Sequence, residues 1–254
     1  MNSKPATGTR RRLDEVLVGR GHFASRSRAR DAIERGAVRV DGVVATKAGQ
    51  GIHDGAIIDV DDPAQGYVSR AALKLLAGLD RFGIDVTGCN SLDVGASTGG
   101  FTQVLLERGA AHVMAIDVGH GQMDARLKAD SRVRCIEGLN ARDLAASHLA
   151  GRTPNLVVSD VSFISLKLAL PPALSLAEAG ARGVFLVKPQ FEAGRAAIGK
   201  GGLLKNPDDA PRIAGELQEW LGTLPGWRSL GFCPSPIEGG DGNREFLLAG
   251  VKDK

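Results

Sequence analysis

The chain has 254 residues, and its 43% apolar content is enough to build a folded core, which excludes an intrinsically disordered protein. Lys and Arg number 32 against 29 Asp and Glu, a formal net charge of +3, and the excess is N-terminal: residues 1–60 hold 11 basic and 7 acidic side chains, leaving 21 and 22. The three cysteines stand far apart without a C-x-x-C pair, which argues against a disulfide framework or a zinc site and favours a reducing cytoplasm.

Two segments argue against export and against a membrane. The arginine run at residues 10–12 could suggest a twin-arginine signal, but Leu13, Asp14 and Glu15 follow where such a signal needs an apolar core. The most apolar region, residues 166–187, contains charged residues and two prolines, unlike a spanning helix of about 20 apolar residues. We therefore expect a soluble, cytoplasmic protein without an export signal or a membrane segment.

Regular structure is predicted to begin after a disordered lead at residues 1–9. A first short helix is indicated by apolar residues at helical spacing, namely Leu13, Val16 and Leu17. A second helix begins at the N-cap residue Ser25 and ends before Gly36, and its apolar face is formed by Ala29, Ala32 and Ile33. Arginines occupy other positions of this helix and its end, and several of them must project outward: Arg26, Arg28, Arg30 and Arg35.

Small strands follow the second helix. Alternating apolar residues flank the Asp41-Gly42 pair, which favours a type I′ hairpin turn. The Asp54-Gly55 pair marks another turn before a short strand at residues 57–60. Two helices and a few short strands therefore make up the first folded unit.

The chain is predicted to divide after this unit. Residues 10–60 form a small α+β domain, the polar, turn-forming residues 61–66 form a linker, and residues 67–254 form a second domain. The second domain opens on a strongly apolar helix with Ser69 as its expected N-cap, and Lys74 lies in the middle of this helix. A snorkelling lysine, whose stem covers apolar surface while its ammonium reaches water, is the ordinary explanation of such a residue.

Residues 91–102, S-L-D-V-G-A-S-T-G-G-F-T, combine a short apolar strand, a glycine-rich turn and the start of a helix. The spacing G-x-x-x-G-G differs from the G-x-G-x-x-G of nicotinamide and flavin enzymes, and the Lys-Ser/Thr ending of a triphosphate-binding loop does not follow. Asp93 lies where the ammonium of an amino-acid end could be met, which suits S-adenosylmethionine. The alternative is an ordinary tight turn between a strand and a helix.

From residue 91 onward strands and helices alternate, which predicts a parallel sheet with helices on both faces. Seven strands are expected, as in a Rossmann-like α/β methyltransferase sheet: residues 91–94, 112–117, 133–136, 156–159, 183–187, about 228–233 and 245–251. In open sheets of this kind, ligands bind at the carboxyl ends of the strands, so the residues that end each strand are the candidates for function.

The second and third strands end near candidate cofactor contacts. Asp117 lies 17 positions after Gly100, near the spacing of about 20 residues at which an acidic side chain accepts from ribose hydroxyls. Asn140 or Asp143, after the third strand, could reach an adenine edge.

The later strands bring acids and lysines together. The fourth strand is followed by Asp160 and the fifth by Lys188, and these two should meet either as a structural ion pair or as a catalytic pair. Glu245 follows a glycine-rich loop and starts the last strand. With Lys74, the second domain therefore carries two lysines and two acids of interest.

Residues 11–42 closely resemble the small αL RNA-binding domain that pseudouridine synthases, tyrosyl-tRNA synthetases and a small-subunit ribosomal protein share. The resemblance implies that the basic helix and the neighbouring hairpin bind structured RNA through its phosphates. The candidate contacts are Arg26, Arg28, Arg30, Arg35 and Arg39. With only 4% aromatic residues, stacking on bases should contribute less than shape and phosphate contacts. The alternative is a solvated basic face.

Nearly all of the chain from Arg11 onward resembles the hemolysin A (TlyA)-type ribosomal RNA ribose 2′-O-methyltransferases. Eight segments in order carry the resemblance: Y-V-S-R-A-A-L-K-L, L-D-V-G-A-S-T-G-G-F-T, A-I-D-V-G-H-G-Q, N-A-R-D-L, V-S-D-V-S-F-I-S-L, L-V-K-P-Q-F-E-A-G-R, G-K-G-G and G-N-R-E-F-L. That family shares with the FtsJ-like ribose methyltransferases a Lys-Asp-Lys-Glu tetrad, which falls on Lys74, Asp160, Lys188 and Glu245. The resemblance implies S-adenosylmethionine-dependent 2′-O-methylation of ribosomal RNA, with free RNA, a ribosomal subunit or an assembly intermediate as the partner.

The resemblance also favours catalytic roles for the tetrad over snorkelling or a structural pair. Lys188 is the candidate for receiving or orienting the proton of the ribose hydroxyl, Asp160 and Lys74 for fixing its geometry, and Glu245 for tuning the charge of the cluster. No metal is required, because the sulfonium already activates the methyl group.

The remaining site residues lie in two segments. Cofactor contacts are expected along the glycine-rich turn and at the strand ends: Asp93, Gly95, Ala96, Ser97, Thr98, Gly99, Gly100, Phe101, Asp117, Val118, Asn140, Asp143 and Asp160. Residues 191–205 are expected to form a mobile basic loop that clamps the RNA backbone through Arg195, Lys200 and Lys205. The alternative is a solvated flexible loop.

Three rival functions come from other classes. A nicotinamide-dependent oxidoreductase is disfavoured by the absence of G-x-G-x-x-G from the glycine-rich turn. An RNA-binding ribosome-assembly factor with a non-catalytic methyltransferase domain is disfavoured by the intact tetrad. A secreted cytolysin, which the family name suggests, is disfavoured because neither a signal nor a membrane segment is predicted.

Overall fold

The computed structural model describes residues 10–240 and 242–254. The prediction for residues 1–9 lies outside the described residues. The chain folds as two units, Met1–Gly66 and Tyr67–Lys254. Each unit packs its own apolar side chains into its own core.

Two helices and two small antiparallel sheets make up the N-terminal unit. The sequence predicted the helices and the short strands after them, but not the strand at residues 11–12 that precedes them. In chain order the elements are β1 (Arg11–Arg12), α1 (Leu13–Gly19), α2 (Arg26–Glu34), β2 (Val38–Val40), β3 (Val43–Val44), β4 (Gly51–Ile52) and β5 (Ile58–Val60). Strand β1 pairs with β4, and β2 lies between β3 and β5. The apolar faces of both helices are buried together.

Local signals in the sequence explain the boundaries of this unit. The Ser25 side chain accepts a hydrogen bond from the backbone N–H of Arg28 and so caps α2. Asp41 and Gly42 have φ angles of 51° and 79°, which are the positive values that a type I′ turn requires at both central positions. The predicted hairpin is therefore confirmed.

Part of the predicted linker is tied to the N-terminal unit. The Asp62 carboxylate accepts from the Arg35 guanidinium at 2.8 Å, and the Gln65 side chain donates to the backbone carbonyl of His22 at 3.1 Å. These contacts hold residues 62–65 against α2 and the turn before it. Turn-forming composition alone does not reveal such contacts.

The second unit has a seven-stranded sheet covered by helices on both faces. Its elements are α3 (Ala71–Phe82), β6 (Asn90–Val94), α4 (Gly100–Glu107), β7 (His112–Asp117), α5 (Ala125–Lys128), β8 (Val133–Glu137), β9 (Leu156–Ser159), α6 (Leu166–Ala169), α7 (Pro171–Leu176), β10 (Arg182–Val187), α8 (Pro189–Glu192), α9 (Ala210–Thr223), β11 (Trp227–Pro234) and β12 (Phe246–Lys252). The strand order is β11-β12-β10-β9-β6-β7-β8, and all pairs are parallel except those that β12 makes with β10 and β11. The seven predicted strands and the α/β fold are confirmed, with boundaries within one residue.

Alternation along the strands sends side chains to both faces of this sheet. Met114 and Ile116 of β7 face one apolar layer with α7 and α9, whereas Val113 and Ala115 face the other layer with α3 and α4. The longest helix in the described part of the chain has 14 residues. Among the described residues, no helix combines the length and the apolar character needed to cross a membrane.

Candidate active site

A cavity of about 660 Å³ opens at the carboxyl ends of β6, β7, β8 and β9. This is the edge of a parallel sheet where ligands are expected. Its wall includes residues predicted from the sequence, namely Gly95, Ser97, Asp117, Val118, Asn140 and Asp160. The strand ends and the glycine-rich turn therefore form one concave site.

The glycine-rich turn passes very close to the end of β9. Gly95 has a φ of +85°, and a Cβ atom there would lie 2.8 Å from the backbone carbonyl oxygen of Asp160. A side chain at this position would push the turn away from β9 and into the cavity. Only glycine satisfies both the backbone angle and the space.

Two backbone amides orient the Asp117 carboxylate at the end of β7. The Ser97 N–H donates to one oxygen at 2.8 Å, and the Gly119 N–H donates to the other at 2.7 Å. Each carboxylate oxygen has a further lone pair, so the group can still accept from a pair of ligand hydroxyls. This geometry fits the predicted ribose contact.

Other predicted cofactor contacts lie away from the cavity wall. Asp93 is fully buried, and the Thr102 hydroxyl donates to its carboxyl group at 2.7 Å. Burial raises the pKa of Asp93 to about 7. Of the described residues, these predicted contacts do not line the cavity: Asp93, Ala96, Thr98, Gly99, Gly100, Phe101 and Asp143. Their contact with a cofactor stays a prediction.

Lys188, which follows β10, contacts two residues of the cavity wall. The Lys188 Nζ lies 2.6 Å from Asp160 Oδ1 and donates a hydrogen bond to Ser162 Oγ at 2.8 Å. Both Asp160 and Ser162 line the cavity. The ammonium is thus held at the cavity by two groups that a bound molecule would touch.

A second ion pair lies inside the unit. The Lys74 ammonium of α3 contacts the Glu245 carboxylate, which immediately precedes β12. Lys74 is 5% exposed and Glu245 is 4% exposed, so the ammonium does not reach water, and a snorkelling lysine is excluded at this position.

The register of the sheet places the two ion pairs side by side. Strands β10 and β12 are antiparallel, and the last pair in register is Val187 with Phe246. Lys188 directly follows β10 and Glu245 directly precedes β12. Continuing the same register by one residue therefore places these two residues opposite each other. The four predicted tetrad residues therefore occur as two ion pairs, with Asp160, Lys188 and Glu245 next to the ends of β9, β10 and β12 and Lys74 on α3.

Residues 67–252 match the model of the FtsJ-like methyltransferase family. This chain belongs to that family. In this FtsJ-like methyltransferase, residues 11–58 also match the S4 domain.

Relatives and solved structures agree with this assignment. The chain is 45% identical to the 16S/23S rRNA (cytidine-2′-O)-methyltransferase TlyA of Mycobacterium tuberculosis, over 94% of this chain and 89% of the relative. It is 40% identical to Hemolysin A of Brachyspira hyodysenteriae, over 93% and 98%. A structure from Streptococcus thermophilus that is named as a hemolysin aligns with a TM-score of 0.74 at 36% identity, over 96% of this chain and 89% of its own.

The predicted RNA-binding arginines of the S4 domain make contacts within the N-terminal unit. The Arg28 and Arg39 side chains donate to backbone carbonyls, and Arg35 pairs with Asp62. Arg26 and Arg30 converge on the buried carboxylate of Asp14. The sequence analysis predicted outward-facing arginines but not their contact with Asp14, because Asp14 belongs to a different helix.

The predicted basic loop of the methyltransferase unit contains more structure than expected. It includes 3-10 turns at Arg195–Ala197 and Lys200–Gly202. The Lys205 ammonium donates to the carbonyl of Ala196 at 2.8 Å, and the amide of buried Asn243 donates to the carbonyl of Gly202 at 3.0 Å. Hydrogen bonds within the loop and from Asn243 thus hold the loop in place. Its contact with RNA stays a prediction.

Most residues of the cavity wall were not predicted as site residues from the sequence, and Ser162 and Phe163 are the two with contacts of interest. Ser162 binds Lys188, and Phe163 is 90% exposed with a φ of +64°. The Phe163 ring centroid lies 5.1 Å from that of Phe191. The sequence did not indicate this exposure, because a left-handed φ at a phenylalanine has no signal in residue type. That backbone angle turns the ring out of the core.

Proposed function

We propose that this protein methylates a ribose 2′-hydroxyl of ribosomal RNA with S-adenosylmethionine as the methyl donor. The observation that supports it most is the Lys188 ammonium, which contacts Asp160 and Ser162, two residues that line the cavity. The Lys74–Glu245 pair lies on the neighbouring strand and helix. A relative that is 45% identical carries the name of an rRNA cytidine-2′-O-methyltransferase.

The cavity fits the proposed methyl donor. Its volume of about 660 Å³ lies in the range of about 300 to 1,000 Å³ that is usual for ligand sites. Asp117 would accept from the ribose hydroxyls, Asn140 would meet the adenine, and the close packing at Gly95 keeps space for the amino-acid end. S-adenosylmethionine supplies a methyl group that its sulfonium activates for attack by oxygen.

The tetrad would handle the proton of the attacking hydroxyl. A ribose hydroxyl is a weak nucleophile, so its proton must leave as the oxygen–carbon bond forms. As the neutral amine Lys188 would receive that proton on Nζ, and as the ammonium it would only orient the hydroxyl, while Asp160 and Ser162 hold the lysine in place. The buried Lys74–Glu245 pair would tune the charge of the cluster. Positioning of the hydroxyl and the methyl group in line then supplies a large part of the rate.

Substitution of Lys188 tests this assignment. Lys188→Ala should leave cofactor binding intact and lower single-turnover methyl transfer by about 10² to 10⁴, or roughly 3 to 5 kcal/mol of barrier. Lys188→Arg should be nearly as inactive, because arginine keeps the charge but does not give up a proton near neutral pH. Lys167→Arg, an exposed lysine of α6, is the matched control and should act like the wild type.

The outcome with arginine decides the role of the lysine. If Lys188→Arg kept most of the single-turnover activity with RNA and cofactor bound, Lys188 would serve only as a charge, and the proton would pass to Asp160 or water. If the wild type bound RNA without transferring a methyl group, the ribosome-assembly function would replace the enzymatic one.

We infer that the activity resides in the cytoplasm, where ribosomal RNA is made and where free thiols such as Cys89, Cys135 and Cys233 persist. Mapping ribose methylation in ribosomal RNA from cells with and without the gene would identify the nucleotide. The same comparison on free RNA, isolated subunits and assembly intermediates would identify the form of the substrate.

A further inference from the structure

Three arginines of the S4 domain converge on one carboxylate. Arg12 Nε lies 3.0 Å from Asp14 Oδ1, and Arg26 Nη2 and Arg30 Nε lie 3.0 and 3.2 Å from Oδ2. Asp14 is fully buried, whereas the three arginine side chains are 44 to 50% exposed. The negative charge is therefore inside and the positive charges form the outer surface.

This arrangement keeps Asp14 ionised. Burial alone would raise its pKa, but hydrogen bonds from Arg12, Arg26 and Arg30 outweigh that effect and hold the pKa well below its usual range. Each guanidinium has five N–H donors in a rigid plane. The contacts to Asp14 use the Nε and Nη2 groups of Arg12 and Arg26 and the Nε of Arg30. A second acid, Glu15, contacts Arg26 at 3.1 Å but is itself 40% exposed.

A phosphate would find fixed donors at this surface. Free arginine side chains lose rotamer freedom when they bind a phosphate, and that loss weakens binding. Here the contacts with Asp14 restrict the three side chains before any ligand arrives. Planar guanidinium groups also match phosphate oxygens better than lysine does.

We propose that Arg12, Arg26 and Arg30 form one binding site for backbone phosphates of the RNA, and that Asp14 is the positioning residue that orients them. The proposal rests on the proposed function, because it takes RNA as the ligand. It adds Arg12 and Asp14 to the predicted interface, and it assigns to an acidic residue a favourable effect on binding a polyanion.

The direction in which Asp14→Asn changes RNA affinity distinguishes an orienting role of Asp14 from a simple effect of net charge. Asp14→Asn keeps the shape of the side chain and makes the protein more positive by one charge. If only net charge matters, RNA should bind more tightly. If Asp14 orients the arginines, RNA should bind less tightly despite the added positive charge.

Glu15 provides the matched control. Glu15→Gln makes the same change in charge one residue away and removes contacts to Arg26 at 3.1 Å and to Arg12 at 3.9 Å, but it leaves the contacts to Asp14 in place. We expect RNA to bind this variant as tightly as the wild type or more tightly. The comparison of the two variants thus holds net charge constant.

The experiment uses the full-length protein and ribosomal RNA from cells that lack the enzyme. Affinity is measured over a series of salt concentrations. Asp14→Asn should weaken binding at least tenfold, and the slope of log affinity against log salt should flatten by roughly 0.7 to 0.9 for each phosphate that the protein no longer neutralises. Affinity for S-adenosylmethionine should not change. Equal RNA affinity for Asp14→Asn and Glu15→Gln would overturn the proposal.

A second comparison keeps the test decisive if Asp14→Asn unfolds the S4 domain. Arg30→Gln removes a member of the cluster, whereas Arg20→Gln removes an arginine that binds the carbonyls of Asp54 and Ala56 instead. Arg30→Gln should weaken RNA binding several-fold more than Arg20→Gln, and equal effects would overturn the site. Wild-type protein that neither binds nor methylates this RNA would instead overturn the proposed function.

Discussion

The buried ion pair of Lys74 and Glu245 is expected to affect the stability of the fold as well as the proposed chemistry. Their ammonium and carboxylate meet where water is nearly excluded. Lys74→Met should leave the Glu245 carboxylate buried without its cation and destabilise the protein by about 3 to 5 kcal/mol. The double variant Lys74→Met with Glu245→Met should recover most of that stability and still transfer little methyl. Urea unfolding and single-turnover assays on both variants measure these effects.

A surface pair supplies the control for this prediction. Arg228 and Asp253 contact each other at 3.0 Å with both side chains about half exposed. Arg228→Met should change stability by roughly 0 to 1 kcal/mol, as exposed ion pairs do. If Lys74→Met destabilised the protein no more than Arg228→Met does, an unpaired Glu245 carboxylate in the interior would have little effect on stability, which would contradict the prediction.

Asp93 should make the stability of the protein depend on pH. Burial raises its folded-state pKa from the ordinary value of 3.8 to about 7. The neutral form is therefore preferred in the folded state, and stability falls as the pH rises from about 4 to 7 and is level above that. A shift of about three pH units corresponds to roughly 4 kcal/mol. Asp93→Asn should remove this loss of stability. The free energy of unfolding of the variant should therefore increase relative to that of the wild type as the pH rises.

An exposed aspartate, Asp85, should change stability with pH in the opposite direction. Hydrogen bonds from Thr87 lower the pKa of Asp85, so its stabilising effect is present at neutral pH and is lost on acidification. The free energy of unfolding of Asp85→Asn should therefore decrease relative to that of the wild type as the pH rises. Unfolding curves at a series of pH values measure both variants, and parallel pH profiles for Asp93→Asn and the wild type would contradict the burial effect.

At the scale of elements, Gly95 connects the glycine-rich turn to β9. Gly95→Ala should combine the left-handed backbone penalty of about 1 to 2 kcal/mol with an overpacking cost of about 1 to 3 kcal/mol, because the new methyl would meet the Asp160 carbonyl. We also expect S-adenosylmethionine to bind at least tenfold more weakly. Calorimetry and thermal unfolding measure the two effects.

Gly88 separates the backbone penalty from the steric clash. It has a φ of +73°, and a Cβ there would meet nothing within 4 Å. Gly88→Ala should therefore lose stability through the backbone alone and keep full cofactor affinity. If both alanine variants lost the same stability and kept the cofactor, the close approach of the turn to β9 would have no role in the cavity.

The strands could be predicted because their signals are local. Runs such as L-V-V-S and F-L-L-A are mostly apolar, and acidic or basic residues mark the strand ends at which the site is predicted. The contacts of Asp14 with α2 and of Asn243 with the basic loop could not be predicted, because they join residues that are distant in sequence. The outward turn of Phe163 depends on a backbone angle that residue type does not reveal.

At the scale of the whole molecule, the two units have separate hydrophobic cores. The S4 domain buries its own cluster around Leu17 and Ile33, and the methyltransferase unit buries two larger ones. Residues 62–65 bind the first unit, so a cut that respects both cores falls between Gly66 and Tyr67. Each part should therefore retain its fold when the chain is divided there.

Deletion of residues 1–66 should separate cofactor binding from RNA binding. The fragment Tyr67–Lys254 contains the whole cavity and both ion pairs, so its affinity for S-adenosylmethionine should stay within about threefold of the full chain, a difference below 1 kcal/mol. It lacks the Asp14 cluster, so RNA should bind far more weakly and with a flatter salt dependence, by roughly 0.7 to 0.9 in log-log slope for each phosphate that the fragment no longer neutralises. Calorimetry and RNA titrations on fragment and full chain measure both affinities. RNA binding at full strength by the fragment would assign recognition to the methyltransferase unit, with the basic loop at Arg195 and Lys200 as the next region to test.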